Sequence, residues 1–378
     1  MTVRKMSAAD VFAAIASREP LFILDVRNED AYADWRIEGP SIASQNTPYF
    51  EFLEGIDPVA GQLPPKNDAV LVVCAKEGSS QFVADLLMEA GWARVAVLAG
   101  GMRSWSEHLH PVHVSELPSG GAVYQFLRPG KGCLSYMVVC GDEAVVVDAA
   151  RTFQVYLDFA EAQGWYIRNV IDTHLHADHV SGGRMLAQAC GASYWLSPQD
   201  ASDVHFGFEP LVDGQVLAVG DVPSLIQVVH SPGHTIGSAS LIVDHACLLS
   251  GDTLFVHSIG RPDLAGQAQS LGAELRRSLY TTYKSLGSEL LVLPAHFAEM
   301  SEINERGFVG ARLGDLYRNN AGLNVPEESQ FLKMVTENLP QQPHAYQDIR
   351  LTNMGQLMPE PDQLSEMEIG PNRCAVHG

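Results

Sequence analysis

The sequence predicts an α/β chain in two parts: a mostly parallel sheet covered by helices, then a longer region of many strands with interspersed helices. Three observations predict it. Residues 1–112 alternate short apolar runs with helical spacing, the pattern of strands buried on both faces between covering helices. A polar stretch with Pro and Gly follows, HPVHVSELPSGG (residues 110–121), and reads as a linker. Strand-like runs then resume over residues 118–340, before a Pro-, Gln- and Met-rich tail at 341–378. At 378 residues the length suits two domains.

The elements follow in order. The N-terminal segment reads as a helix with Ser7 in position to cap it. LFILDV (21–26), AVLVVC (69–74) and VAVLAGG (95–101) are apolar runs of strand length. Between the last two, Phe82, Val83, Leu86 and Leu87 recur at helical spacing, and Gly91 can end that helix. In the second part CLSYMVVC, EAVVVDA, NVIDTH, SLIQVVH, SASLIVD, ACLLSGD and ELLVLPAH read as strands, and QSLGAELRRSLYTTYKSL as a helix. This pattern fits a two-sheet sandwich flanked by helices, and periodicity alone does not separate that from a doubly wound sheet. The tail reads as a segment wrapping the second part.

Composition narrows the function classes. A formal net charge of −21 argues against nucleic acid, whose phosphates need a surplus of Lys and Arg, and against an anionic membrane surface. No run approaches the ~20 apolar residues of a membrane span, and the N-terminus lacks the apolar core of a signal peptide. The six cysteines are scattered with no C-x-x-C pair, which reads as reduced thiols in a cytoplasmic chain. A homo-oligomer stays open.

Cys74 ends a strand pattern and is followed by A-K-E-G-S-S and a helix. A thiol there faces loop N–H groups and the positive end of the helix, which favour thiolate and would hold an anionic sulfur adduct. Gly78 lets the loop turn, Ser79 and Ser80 can cap the helix and donate hydrogen bonds, and Lys76 adds a positive charge. Together with DVRNEDAY (25–32) and LAGGMRSW (98–105), this loop resembles the rhodanese sulfurtransferases over residues 1–112. The resemblance implies that Cys74 carries a persulfide and passes its outer sulfur on. Family members often place Arg directly after the cysteine and late in the loop. Ala75 and Ser79 stand there instead, and the usual His-Ile-Pro-Gly-Ala segment reads RIEGPSIAS. The thinner positive charge weighs against thiosulfate as donor.

T-H-L-H-A-D-H places His174, His176, Asp178 and His179 within a few residues of a strand end, so that they can converge on metal from one side. SPGHT, SGDT and LPAH add His234, Asp252 and His296 where later strands should end. The ordered set resembles the metallo-β-lactamase superfamily and implies its αββα sandwich. Two arrangements use these residues. In dinuclear zinc hydrolases, His174, His176 and His234 would hold one Zn(II), and Asp178, His179 and His296 the other, with Asp252 bridging. In the mononuclear iron branch, His174, His234 and Asp252 would hold one Fe(II) per chain as a 2-His-1-carboxylate triad, with His176, Asp178, His179 and His296 around them.

GDTLFVHSIGRPDLAG (251–266), LRPGKGCLSYMV (127–138) and EIGPNRCA (368–375) resemble persulfide dioxygenases and their rhodanese fusions. That implies a metal domain oxidising a low-molecular-weight persulfide, such as glutathione persulfide, with O₂ to sulfite and free thiol. The attached domain would move sulfur among thiol, sulfite and thiosulfate. The alternative is a glyoxalase II-like thioester hydrolase. Arg261 and Asp263 read as a structural ion pair, with a substrate role for Arg261 as the sharper alternative. Cys133, Cys140, Cys190 and Cys247 read as core, Cys374 as a tail thiol whose reactivity stays open, and His108, His110 and His113 as a solvated linker cluster.

Overall fold

The computed structural model describes residues 3–262, 268–337, 345–372 and 374–375, the side chains of residues 223 and 224 excepted. The chain divides into two compact units: residues 1–110 with 128–131 and 369–371, and residues 111–127, 132–368 and 372–378.

The first unit holds a five-stranded sheet of β1 (Arg4–Met6), β2 (Leu21–Asp25), β3 (Ile42–Asn46), β4 (Val70–Val73) and β5 (Val95–Leu98), in the order β1-β5-β4-β2-β3. Every pairing is parallel. Successive side chains of a strand alternate between faces. Leu24, Val72 and Val97 therefore pack in one cluster with Val83, Ala84 and Leu87 of α3 (Gly78–Glu89), while Ile23, Leu71 and Ala96 face the other way and are buried too. The first helix (Ala8–Ala16) starts at the expected Ser7, in a capping box with Asp10.

The second unit is a sandwich of a seven-stranded and a six-stranded sheet. The first is built from β6 (His110–Glu116), β7 (Ala122–Arg128), β8 (Cys133–Cys140), β9 (Glu143–Val147), β10 (Tyr166–Ile171), β11 (Ser193–Leu196) and β12 (Glu209–Pro210), in the order β12-β11-β10-β9-β8-β7-β6. The second is built from β13 (Val216–Val219), β14 (Val222–His230), β15 (Ala239–Val243), β16 (Cys247–Gly251), β17 (Leu291–Pro294) and β18 (Ala311–Arg312), in that order. Their inner faces share one core: Leu134, Tyr136 and Val138 meet Val228, Leu241 and Leu249. The alternate residues Ile242, Leu248 and Val292 face outward, under Leu275 of one helix (Ala268–Arg277) and Phe331 and Val335 of another (Glu328–Thr336). On the opposite side Phe126 stacks on Tyr156, with ring centroids 4.7 Å apart. The fold is thus a parallel α/β sheet followed by an αββα sandwich, and the choice periodicity left open falls to the sandwich.

Two expectations change. Residues 110–116, read as linker, form the edge strand β6. Pro111 is admissible there because an edge strand has one unpaired side, and Val114 is fully buried. The tail is more ordered than its composition suggests: it holds two short helices (Tyr346–Asn353 and Pro361–Met367), and Ala345 and Ile349 pack on Val180.

Candidate metal centre and thiol site

In the sandwich, the histidine run Thr173–His179 directly follows β10, His234 lies between β14 and β15, Asp252 follows β16, and His296 follows β17. All are buried. Strand ends of both sheets therefore deliver the sequence-predicted ligands to one place. Three sets have ligand atoms within 4.8 Å of one another there: His174, His234 and Asp252; Cys133, Asp178, His179 and His296; and Asp252, His296 and Cys374. His176 groups instead with Asp148 and Asp172.

Hydrogen bonds decide which ring nitrogens face inward. The Thr173 hydroxyl donates to Asp148 Oδ2 at 3.0 Å, so its lone pair takes the His174 Nδ1–H at 3.0 Å. His234 Nδ1 lies 2.9 Å from the Arg261 carbonyl, which can only accept. Both histidines therefore keep a bare Nε2. These nitrogens lie 3.8 and 3.3 Å from Asp252 Oδ2. Among the described residues, His174 Nε2 and both Asp252 oxygens are buried without a hydrogen-bond partner. Lone pairs facing lone pairs in a dry pocket repel one another until a cation sits between them, so the residues fit a metal ion.

The ionisation pattern agrees. Burial works against charge on Asp252, Asp178 and His296. The mutual attraction of imidazoles and carboxylates overrides it, holding both carboxyls low and His296 high. The protons on the imidazoles occupy the role a cation would take. His174 is different: burial and the neighbouring His176 push it well below the ordinary imidazole range.

Several residues here escaped the sequence reading. Asp148 accepts from the Thr173 amide at 2.7 Å and lies 3.2 Å from His176 Nε2, leaving His176 Nδ1 buried without a partner. Asn353 donates to the carbonyls of His176 and His179, both at 2.9 Å. Asn372 donates to Asp178 at 3.0 Å. Glu368 is fully buried, accepts the Val180 amide at 3.0 Å, and pairs with Arg151 at 2.7 Å. Cys133 and Cys374 are buried, as a core reading of Cys133 expects, and both also lie among the candidate ligand groups. Burial raises the Cys133 thiol, but His296 and His179 more than offset it and leave it at about 6. Cys374 is pushed well up by burial. A cavity of about 350 Å³ opens beside His296 and Asn372, walled by Phe255, Phe297, His257 and Glu299 among others. Arg261 is buried; its expected partner Asp263 lies outside the described residues.

In the first unit, Cys74 sits just past β4, almost fully buried. Its Sγ accepts from the Glu77 amide at 3.1 Å and lies 3.3 Å from Ser80 Oγ. Ser80 donates to the Glu77 carbonyl at 2.7 Å. Helix α3 starts at Gly78 with Glu77 in the capping position, so Ser80 faces the thiol instead of capping. Glu77 has φ 142°, a conformation that costs a non-glycine residue about 1–3 kcal/mol and here aims its N–H at the sulfur. Its carboxylate holds the shape by accepting from Gly100 N at 3.0 Å and from Lys5. Gly101, at φ 64°, leaves no room for a side chain: a Cβ would lie 2.4 Å from the Cys74 carbonyl. Lys76 and Gly78 are exposed and Ser79 half-buried. His108 and His110 are not a solvated cluster, since both pack on Phe12; exposed His113 pairs with Glu116 at 3.0 Å.

A buried cluster of His and Asp at the strand ends of an αββα sandwich and, in a separate α/β unit, a cradled cysteine define a two-part protein with a candidate metal centre and a thiol site. Residues 7–108 match the rhodanese-like domain family, and residues 128–296 match the metallo-beta-lactamase superfamily. The chain thus carries a rhodanese-like domain N-terminal to a metallo-beta-lactamase domain. The mitochondrial persulfide dioxygenase ETHE1 of Bos taurus is 28% identical over 230 residues, 57% of this chain and 86% of that protein. A hydroxyacylglutathione hydrolase of Methylococcus capsulatus is 30% identical over 185 residues, 49% of this chain and 64% of that protein. The crystal structure of ETHE1 from Myxococcus xanthus superposes with a TM-score of 0.54 at 22% identity, covering 62% of this chain and 98% of that one, a likeness of fold.

Proposed function

We propose that the metal domain is a persulfide dioxygenase: it oxidises a low-molecular-weight persulfide, such as glutathione persulfide, to sulfite and free thiol, consuming O₂ and a water. The rhodanese-like domain transfers sulfur through Cys74. The observation that carries this reading is the bare Nε2 of His174 and of His234 converging with the unpartnered Asp252 carboxylate. One Fe(II) held by these three residues would supply open coordination positions for the terminal sulfur and O₂. The chain's own groups do the rest. Asp148, through Thr173, and the Arg261 carbonyl fix the two imidazoles. Phe255 and Phe297 give the cavity beside His296 two apolar walls against which the carrier thiol can rest. At Cys74, the Glu77 amide donates to the sulfur and would hold an anionic sulfur adduct there. The thiolate attacks the sulfane sulfur of a donor, the donor S–S bond breaks, and the outer sulfur of the Cys74 persulfide then passes to an acceptor nucleophile.

The test is product formation with defined metal. Iron-loaded protein should convert glutathione persulfide to sulfite in air and not under argon. Cys74→Ser should abolish transfer of sulfane sulfur and leave sulfite formation unchanged; a variant that still transfers sulfur removes Cys74 from the mechanism. The proximity of Asp178, His179 and His296 favours a second reading, a dinuclear zinc thioester hydrolase. Thioester turnover by zinc-loaded protein, with no sulfite from persulfide, would replace the first reading by the second.

A further inference from the structure

We propose that Glu77 is a positioning residue for sulfur transfer: its carboxylate clamps a strained peptide whose N–H is aimed at the atom that takes up negative charge when Cys74 gives its outer sulfur away. The proposal rests on the reading of Cys74 as a sulfur carrier and adds how the loop around it is held.

The Cys74 loop is fastened at three points to one neighbour, the turn between β5 and the helix Gly101–Glu107. The Cys74 carbonyl accepts the Met102 amide at 2.8 Å, and the Ala75 carbonyl accepts the Arg103 amide at 3.2 Å. Those two ties are main chain, so they make no demand on the loop's side chains. The third needs a side chain. Glu77 Oε2 accepts the Gly100 amide at 3.0 Å, and Oε1 accepts from Lys5 of β1. The Gly100 amide, and then Lys5, hold this carboxyl below its ordinary range. Glu77 makes the tie from φ 142°, a region that glycine enters freely and other residues rarely do. The adjacent Gly78 lies in α3 with open space where a Cβ would be. A glycine at 77 would relieve the strain and lose the tie. The side chain thus offsets a backbone cost, and what is gained is the direction of one N–H.

That N–H meets Cys74 Sγ at 3.1 Å. Ser80 does not replace it, because its hydroxyl hydrogen goes to the Glu77 carbonyl at 2.7 Å and its oxygen is left to accept from the thiol at 3.3 Å. In transfer, an acceptor nucleophile bonds to the outer sulfur of the Cys74 persulfide. The bond between the two sulfurs breaks, and its electron pair stays on Sγ as thiolate. Charge therefore builds on the atom that the Glu77 N–H faces. The hydrogen bond strengthens as the sulfur–sulfur bond breaks, which lowers the barrier to this step. A peptide freed from its clamp loses that gain although every other group of the loop remains.

Discharge of the persulfidated full-length chain to cyanide, followed as thiocyanate under argon, tests this. Argon keeps out the O₂ that the metal domain would consume. Wild type, Glu77→Gly and Glu77→Gln are charged with glutathione persulfide, freed of excess and compared. Glycine takes φ 142° without strain, so Glu77→Gly should fold and take up as much cyanide-labile sulfur as wild type. It should then release that sulfur at least ~10-fold more slowly, short of the ~100-fold or greater loss from removing such a donor outright. Glu77→Gln changes the charge equally but keeps an oxygen for the Gly100 amide. It loses an exposed ion pair of small worth, and should discharge within ~3-fold of wild type. Glu77→Gly that takes up no sulfur or discharges at the wild-type rate would overturn the proposal. So would Glu77→Gln slowed as much as Glu77→Gly, since charge and not the clamp would then act. Cys74→Ser separates the two readings: labile sulfur at the wild-type level in that variant would remove the sulfur-carrier reading itself, whatever the Glu77 variants do.

Discussion

His108 shows how a single buried side chain couples stability to pH. Its Nε2 is buried without a hydrogen-bond partner. Burial, then the neighbouring His110, lowers its pKa from 6.5 to about 4. The folded state thus holds His108 neutral where the unfolded chain would bind a proton. Its contribution is complete above the unfolded pKa of 6.5 and is lost as pH falls from there towards about 4. His108→Gln should flatten the dependence of the urea midpoint on pH across that window. An unchanged slope would show that His108 does not stay neutral. At the metal centre, partners rather than proximity distinguish the histidines. His174 and His234 spend their Nδ1 protons on oxygen acceptors and keep Nε2 bare, whereas His296 meets a donor.

At the scale of elements, the helix Tyr346–Asn353 does more than cover the sandwich. Through Asn353 it holds the carbonyls of His176 and His179 and accepts the Ser181 amide at 2.9 Å, so it sets the path of the histidine run. Asn353→Ala should lower metal affinity by roughly 10–100-fold, as loss of an outer-sphere contact typically does, with little change in the far-UV spectrum. Retained affinity in a competition titration would make this contact merely structural. The candidate ligands that the fold brings together were legible in sequence because strand ends carry them in recognisable local runs. Asn353, Asn372 and Cys133 were not, because their partners are remote. Cys133 meets Asp178 and His296 across the fold from within a strand that reads as apolar core. Edge strand β6 hid behind Pro111 and its two histidines, His110 and His113. Ser80 was read as a cap because the strained Glu77, which starts the helix instead, has no sequence signature.

Over the whole molecule, periodicity marked both parts and the parallel sheet of the first. The second needed tertiary information, since a buried strand reads alike in a sandwich and a doubly wound sheet. No helix among the described residues is long and apolar enough to cross a membrane. The net charge of −21 disfavours association with polyanions. The central claim is the chemistry of the centre formed by His174, His234 and Asp252. It is tested most directly by following O₂ consumption in anaerobically prepared, iron-loaded protein on addition of glutathione persulfide, with bound metal quantified on the same sample. The prediction is rapid uptake matched by sulfite, with about one iron per chain. No uptake by protein that retains its iron would contradict it.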